Sequence, residues 1–95
     1  MSITDFLLAR IAEDAEEAAW YGNMENFEGG WTKVRTARVL RECEAKRAII
    51  VDRERIDRSA SDSEWSMGYS DANYSALVSL AAVYSDHPDY RPEWA

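Results

Sequence analysis

Three titratable residues close together near the C-terminal end, Asp86, His87 and Asp89, offer the most promising chemistry in this sequence. One imidazole and two carboxylates within four residues could hold a metal ion or move a proton. A structural zinc site needs four ligands, usually with paired Cys or His, and the sequence holds one Cys and one His. The alternative is a turn in which Asp side chains accept hydrogen bonds from backbone N–H groups. The turn is favoured, and a metal-dependent or hydrolytic enzyme at this cluster stays as the disfavoured alternative.

A nucleophilic pair would have to join Cys43 to His87. Cys43 falls on an apolar stripe, and free cysteines are among the most often buried residues, so core packing is favoured. Paired carboxylates do catalytic work only when their surroundings separate their pKa values, and the spacing of Glu13, Glu16 and Glu17 indicates a solvated acidic face instead. Gly-rich phosphate motifs and a Gly-x-Ser-x-Gly elbow do not occur. We therefore predict no catalytic residue, no cofactor and no metal.

A length of 95 residues fits one domain. The composition predicts that this domain folds, since 46% hydrophobic and 12% aromatic residues are too many for a disordered acidic tail. The net charge of -7 argues against direct nucleic-acid binding. That total is uneven: residues 1–30 carry -6, residues 31–58 carry +4 and residues 59–95 carry -5. The longest apolar run, 80–84, is too short for a membrane span, and no secretory signal is recognised. With a single cysteine, a cytoplasmic protein is expected.

Three helices position these residues in the simplest interpretation. They are predicted at about 3–21, 33–57 and 73–84, with a Gly-rich loop at 22–30, a Ser-rich loop at 59–72 and a tail at 86–95. Ser2 and Asp5 resemble the capping box that begins a helix. We predict a small all-α domain, in which helices one and two form an antiparallel hairpin, helix three crosses them, and Tyr90 and Trp94 dock back.

Helix one has one apolar face, whereas helix two has apolar residues on two sides. In helix one the apolar arc comprises Ile3, Leu7, Leu8, Ile11, Ala15, Ala18 and Ala19, while Phe6 and Trp20 fall on the acidic side. In helix two one stripe comprises Val39, Leu40, Cys43, Ile50 and Val51, and Val34, Ile49 and Ile56 lie roughly opposite. Two-sided patterning favours two neighbours, which are either helices one and three or a second copy of the chain. A homodimer through helix two is therefore an open alternative.

Aromatic residues are numerous for a chain of this size and leave two interpretations open. They either cap the ends of a small core or form a binding surface, since Trp and Tyr dominate the energetically important positions of interfaces. The predicted interaction surface comprises Phe6, Trp20, Tyr21, Trp31, Trp65, Tyr90 and Trp94.

Two blocks of the sequence resemble a family of small uncharacterised actinobacterial and actinophage proteins. They are ARVLRECEAKR at 37–47 and LAAVYSDHPDYRPEW at 80–94, similar to the family's "ARVLREVEAKR"-like helix and "HPDY..EW"-like tail. Relatives often carry cysteine pairs after the middle helix, and this sequence has none there. The resemblance implies a source and a fold but no reaction.

The leading functional hypothesis is a small non-enzymatic interaction protein, phage-encoded and binding a bacterial host or defence protein. A second hypothesis is an acidic DNA mimic, whose carboxylates would occupy a nucleic-acid site on a partner. The enzyme hypothesis at Asp86, His87 and Asp89 is the third.

Overall fold

The computed structural model describes residues 2–22, 29–59 and 64–95, with the side chains of 29–34 and 59 excepted. Helix α1 spans Ile3–Gly22, α2 spans Gly29–Ser59 and α3 spans Glu64–Ala82, followed by a short 3-10 helix at Pro92–Trp94. The described ranges contain no strand. The prediction of a small all-α domain with three helices is confirmed.

Helix α1 begins as the capping pattern predicts, because the Asp5 backbone N–H donates to Ser2 Oγ at 3.1 Å. Its buried residues are Ile3, Phe6, Leu7, Arg10 and Ile11. The placement of Phe6 on a solvated acidic side is wrong, and so is the inclusion of Leu8 and Ala19 in the buried face, since both are exposed. The helix is covered on the Phe6 side by the C-terminal tail, which shifts its buried face away from Leu8.

Helices α1 and α2 run antiparallel, as predicted. Cys43 Sγ lies 3.9 Å from the backbone oxygen of Ile11, and further along the pair Gly22 lies against Thr36. A Cβ atom on Gly22 would come within 2.9 Å of Thr36 Cγ2, so glycine allows the close approach of the two helices at this end.

Helix α3 begins nine residues earlier than predicted, at Glu64, so the Ser-rich loop at 59–72 is wrong over most of its length. Serine and glycine weaken a helix by only fractions of a kcal/mol to about 1 kcal/mol each and do not prohibit it. Contacts with α2 compensate: Arg53 donates to the backbone oxygen of Ser70 at 3.2 Å and to its Oγ at 3.0 Å. Tertiary contact therefore overrides local composition here. Helix α2 is also longer than predicted, by four residues at its start and two at its end.

The chain after α3 turns and runs back along the first half of α1. Trp94 retains only 6% of its accessible surface and lies 5.0 Å, between ring centroids, from the fully buried Phe6. Tyr90 is half-buried and meets both rings near their edges. Docking of the tail is confirmed. The core comprises Ile3, Phe6, Leu7, Ile11, Cys43, Ile50, Leu77, Ala81 and Trp94.

The molecule is elongated, measuring 55 × 26 × 17 Å with a radius of gyration of 16.2 Å. A compact domain of this length would have a radius of gyration of about 12 Å. The 31 residues of α2 account for the long axis, since a helix rises about 1.5 Å per residue. No helix within the described ranges has the length and apolar character needed to cross a bilayer.

Candidate functional site

Arg10 is the centre of a polar cluster that joins the tail to α1. Although only 7% of Arg10 is exposed, its Nη2 donates to Glu13 Oε1 at 2.9 Å, and its Nη1 lies 3.8 Å from Asp89 Oδ2. Nη1 also donates to His87, at 2.8 Å from Nδ1, and contacts Nε2. The guanidinium carbon lies 5.4 Å from the centroid of the Phe6 ring. A single cation thus bridges two acidic side chains and one imidazole across the docking interface.

The Arg10 contact defines what His87 can do. The Asp89 backbone N–H donates to Nδ1 at 3.0 Å, and the Arg10 guanidinium lies against both nitrogens of the ring. A metal ion at these nitrogens would have to displace a guanidinium that carries like charge. Among the described residues, no three His, Cys, Asp or Glu side chains are grouped as metal ligands would be. In this geometry the Asp86, His87 and Asp89 cluster is a turn that anchors the tail.

Tyr84 connects α1, α2 and the start of the tail. Its hydroxyl donates to Asp14 Oδ2 at 2.6 Å and accepts from Lys46 Nζ at 3.4 Å, with the ammonium 5.6 Å from the ring centroid. Burial raises the pKa of Tyr84 above its ordinary value, and the Asp14 carboxylate raises that pKa further because it favours the protonated phenol. Tyr84 therefore stays a neutral donor over the whole physiological pH range.

Sequence reasoning missed the roles of Arg10, Asp14 and Tyr84 in this cluster. A signal for Arg10 did exist, because it is the one basic residue among the first 30 and lies one helical turn from both Phe6 and Glu13. Asp14 and Tyr84 meet across 70 positions of sequence, and no local pattern predicts that pairing.

Cys43 is 2% exposed and packs in the core, as predicted. Beside it, a groove of about 500 Å³ lies between α1 and α2. The groove presents both apolar and charged side chains, among them Val39, Glu17 and Lys46. The lining comprises Asp14, Glu17, Ala18, Tyr21, Arg35, Thr36, Val39, Glu42, Cys43 and Lys46.

The structure divides the predicted aromatic surface into two groups. Phe6 and Trp94 are buried and Tyr90 is half-buried, so their assignment to an exposed surface is wrong: they close the core around the tail. Trp20, Tyr21 and Trp65 are exposed by 59%, 41% and 78%. The side chain of Trp31 falls outside the described residues. The predicted acidic face, Glu13, Glu16 and Glu17, is exposed, although Glu13 is paired with Arg10.

Four of the exposed aromatic residues within the described ranges form two pairs. Trp20 and Tyr21 meet edge to face with centroids 4.9 Å apart, and Trp65 stacks on Tyr69 at 5.7 Å with the rings 4° from parallel. The first pair lies at the end of α1 and the second at the start of α3, close to the opposite end of α2. With a rise of about 1.5 Å per residue along α2, the pairs are separated by about 30 Å.

Comparisons with known proteins give a family and no activity. A family model described as "Family of unknown function (DUF6221)" matches residues 1–95. Neither a curated protein nor a solved structure matches the chain.

Proposed function

We propose that this chain, which belongs to the DUF6221 family, is a non-enzymatic interaction module whose two exposed aromatic pairs bind a basic protein surface. One observation carries the proposal. The fold buries Phe6 and Trp94 in the core but leaves Trp20 and Trp65 exposed, by 59% and 78%. Exposed Trp and Tyr side chains bring a large apolar area at low conformational cost, which is why they dominate binding energy in interfaces.

Exposed carboxylates beside each aromatic pair favour a basic partner. Glu16 and Glu17 are exposed one turn before Trp20, and Glu64 is exposed directly before Trp65. Lys and Arg side chains on a partner could pair with these carboxylates and could also pack on the aromatic faces. Complementary charge of this kind speeds association and selects among partners more than it adds affinity.

Contacts within the domain support the non-enzymatic part of the proposal. His87 is held by Arg10, and Cys43 is 2% exposed in the core, so the two residues that a dyad would need serve packing. The finer form of the proposal is a phage-encoded protein that binds a bacterial host or defence protein. The DNA-mimic alternative is weakened, because Glu13 and Asp14 are engaged by Arg10 and Tyr84.

Affinity capture from a bacterial lysate with quantitative mass spectrometry tests the proposal. We would compare wild type with Trp20→Ala and Trp65→Ala, using Tyr74→Ala as the matched control because Tyr74 is 44% exposed and lies outside both pairs. We expect a partner that is retained by wild type and Tyr74→Ala, is depleted by about tenfold or more in either Trp variant, and is released by salt. Equal recovery by all four proteins would refute the role of the aromatic pairs.

A further inference from the structure

A third face of α2, distinct from the aromatic pairs, is left open by α1 and α3. At 100° per residue, Leu40, Glu44, Arg47 and Val51 fall within an arc of about 60°. Cys43, which meets α1, and Arg53, which meets α3, lie outside that arc. Leu40 is 36% exposed, Val51 is 45% exposed, Glu44 is also exposed and Arg47 is half-buried. We call these four residues the open α2 face.

The order of residues along the open α2 face is self-complementary. The four positions are spaced by four, three and four residues, with the apolar side chains outside and one acid and one base inside. When two such helices lie antiparallel, Leu40 of each copy is opposite Val51 of the other, and Glu44 of each is opposite Arg47 of the other. Within the described part of the chain, neither Glu44 nor Arg47 has an ion-pair partner. A second copy would supply both partners by symmetry.

Helix α1 continues this surface near its centre. Phe6 and Arg10 lie on one side of the α1 residues that contact α2, and they face the tail. Because each residue turns the helix by about 100°, Leu8 and Ala12 lie on the other side of those residues. That side also carries the open α2 face, since α3 and the tail pack on the opposite side of the hairpin. Leu8 is 37% exposed, and Ala12 is small enough for a neighbouring helix to approach closely. Two hairpins joined here would form a four-helix arrangement.

From this symmetry we infer that the open α2 face binds a second copy of the chain, with the two α2 helices antiparallel about a two-fold axis between residues 45 and 46. Only Leu8, Leu40 and Val51 contribute large apolar side chains. The dimer is therefore of the small, dissociable class, in equilibrium with the monomer. The open α2 face contains no residue of the aromatic pairs, so this dimer and the binding of a basic partner are tested by different variants.

Charge reversal measured by sedimentation equilibrium tests this dimer. We expect wild type to dimerise as concentration rises, and Glu44→Arg or Arg47→Glu alone to raise the dimer Kd by about tenfold or more, since each places like charges opposite one another twice. An equimolar mixture of the two variants should recover wild-type affinity, because positions 44 and 47 are then both basic in one chain and both acidic in the other. Arg38→Glu, the same change as Arg47→Glu but at an exposed position away from this face, is the control.

Three results would overturn the inference. One is a monomer at every concentration, the second is a dimer that Glu44→Arg and Arg38→Glu affect equally, and the third is a mixture that does not recover affinity. Far-UV circular dichroism of each variant establishes that it folds, and two independent reversals ensure that one misfolded variant does not decide the outcome.

Discussion

Replacement of Trp94 by alanine should remove a large part of the stability of this domain. Trp94 is 6% exposed and packs on Phe6, which has no exposed surface. The substitution opens a cavity between the tail and α1, and it removes the aromatic neighbour of Tyr90 as well. Trp65→Ala is the matched control, because the same atoms are removed from a side chain that is 78% exposed.

The magnitude follows from the two burial states. Truncation of a buried Trp to Ala costs about 3–5 kcal/mol, whereas truncation of an exposed side chain changes stability by about 0.5 kcal/mol or less. Domains of this length have a free energy of unfolding of about 5–14 kcal/mol, so Trp94→Ala should remove about a fifth of it or more.

Urea denaturation followed by circular dichroism measures both variants. With an m-value of about 2 kcal/mol per molar urea, the midpoint of Trp94→Ala should fall by about 1.5–2.5 M and that of Trp65→Ala by about 0.25 M at most. Midpoints for the two variants that agree within error would contradict the docking of the tail into the core.

Two further predictions concern Tyr84 and the glycines. In a spectrophotometric titration Tyr84 should ionise above the ordinary tyrosine pKa of about 10, since its pKa is raised, and this late transition should be absent in Tyr84→Phe. A group with a raised pKa in the folded state contributes stability that is present below its ordinary pKa and is lost at higher pH, so wild type should lose more stability in base than Tyr84→Phe. A titration in which Tyr84→Phe loses an early transition would contradict the contact with Asp14. Gly68→Ala should raise the free energy of unfolding by about 0.5–1 kcal/mol, because Gly68 lies inside α3 and a Cβ atom added there would have nothing within 4 Å. Gly22→Ala should raise it less, or lower it, because its Cβ atom would meet Thr36. The same gain at both positions in thermal unfolding would rule out the close approach of α1 and α2 at Gly22.

The elements with strong local signals could be predicted from sequence. The Ser2 cap and the apolar spacing of Ile3, Leu7 and Ile11 defined the start and the buried side of α1 closely. The start of α3 could not be predicted, because the hydrogen bonds of Arg53 to Ser70 that support it join residues on different helices. Local composition indicated a loop, and packing decided otherwise.

The candidate site was only partly predictable for a related reason. The aromatic surplus was visible in the sequence, but whether each ring lies in the core or on the surface depends on where the C-terminal tail packs on α1. Phe6 is buried because the tail returns to cover it, and Trp20 is exposed because the same tail does not extend to the end of α1. A helical projection of α1 alone treats these two residues alike.

From the contact between Phe6 and Trp94 we also predict the order in which the protein folds. These residues lie almost the full length of the chain apart, so joining them in an unfolded chain costs about 4 kcal/mol of loop-closure entropy, more than the closure of the α1–α2 hairpin. Once the hairpin and α3 exist, only the short tail remains to be fixed, and its docking becomes a nearly local event. We therefore expect the tail to dock last during folding and to detach first during unfolding.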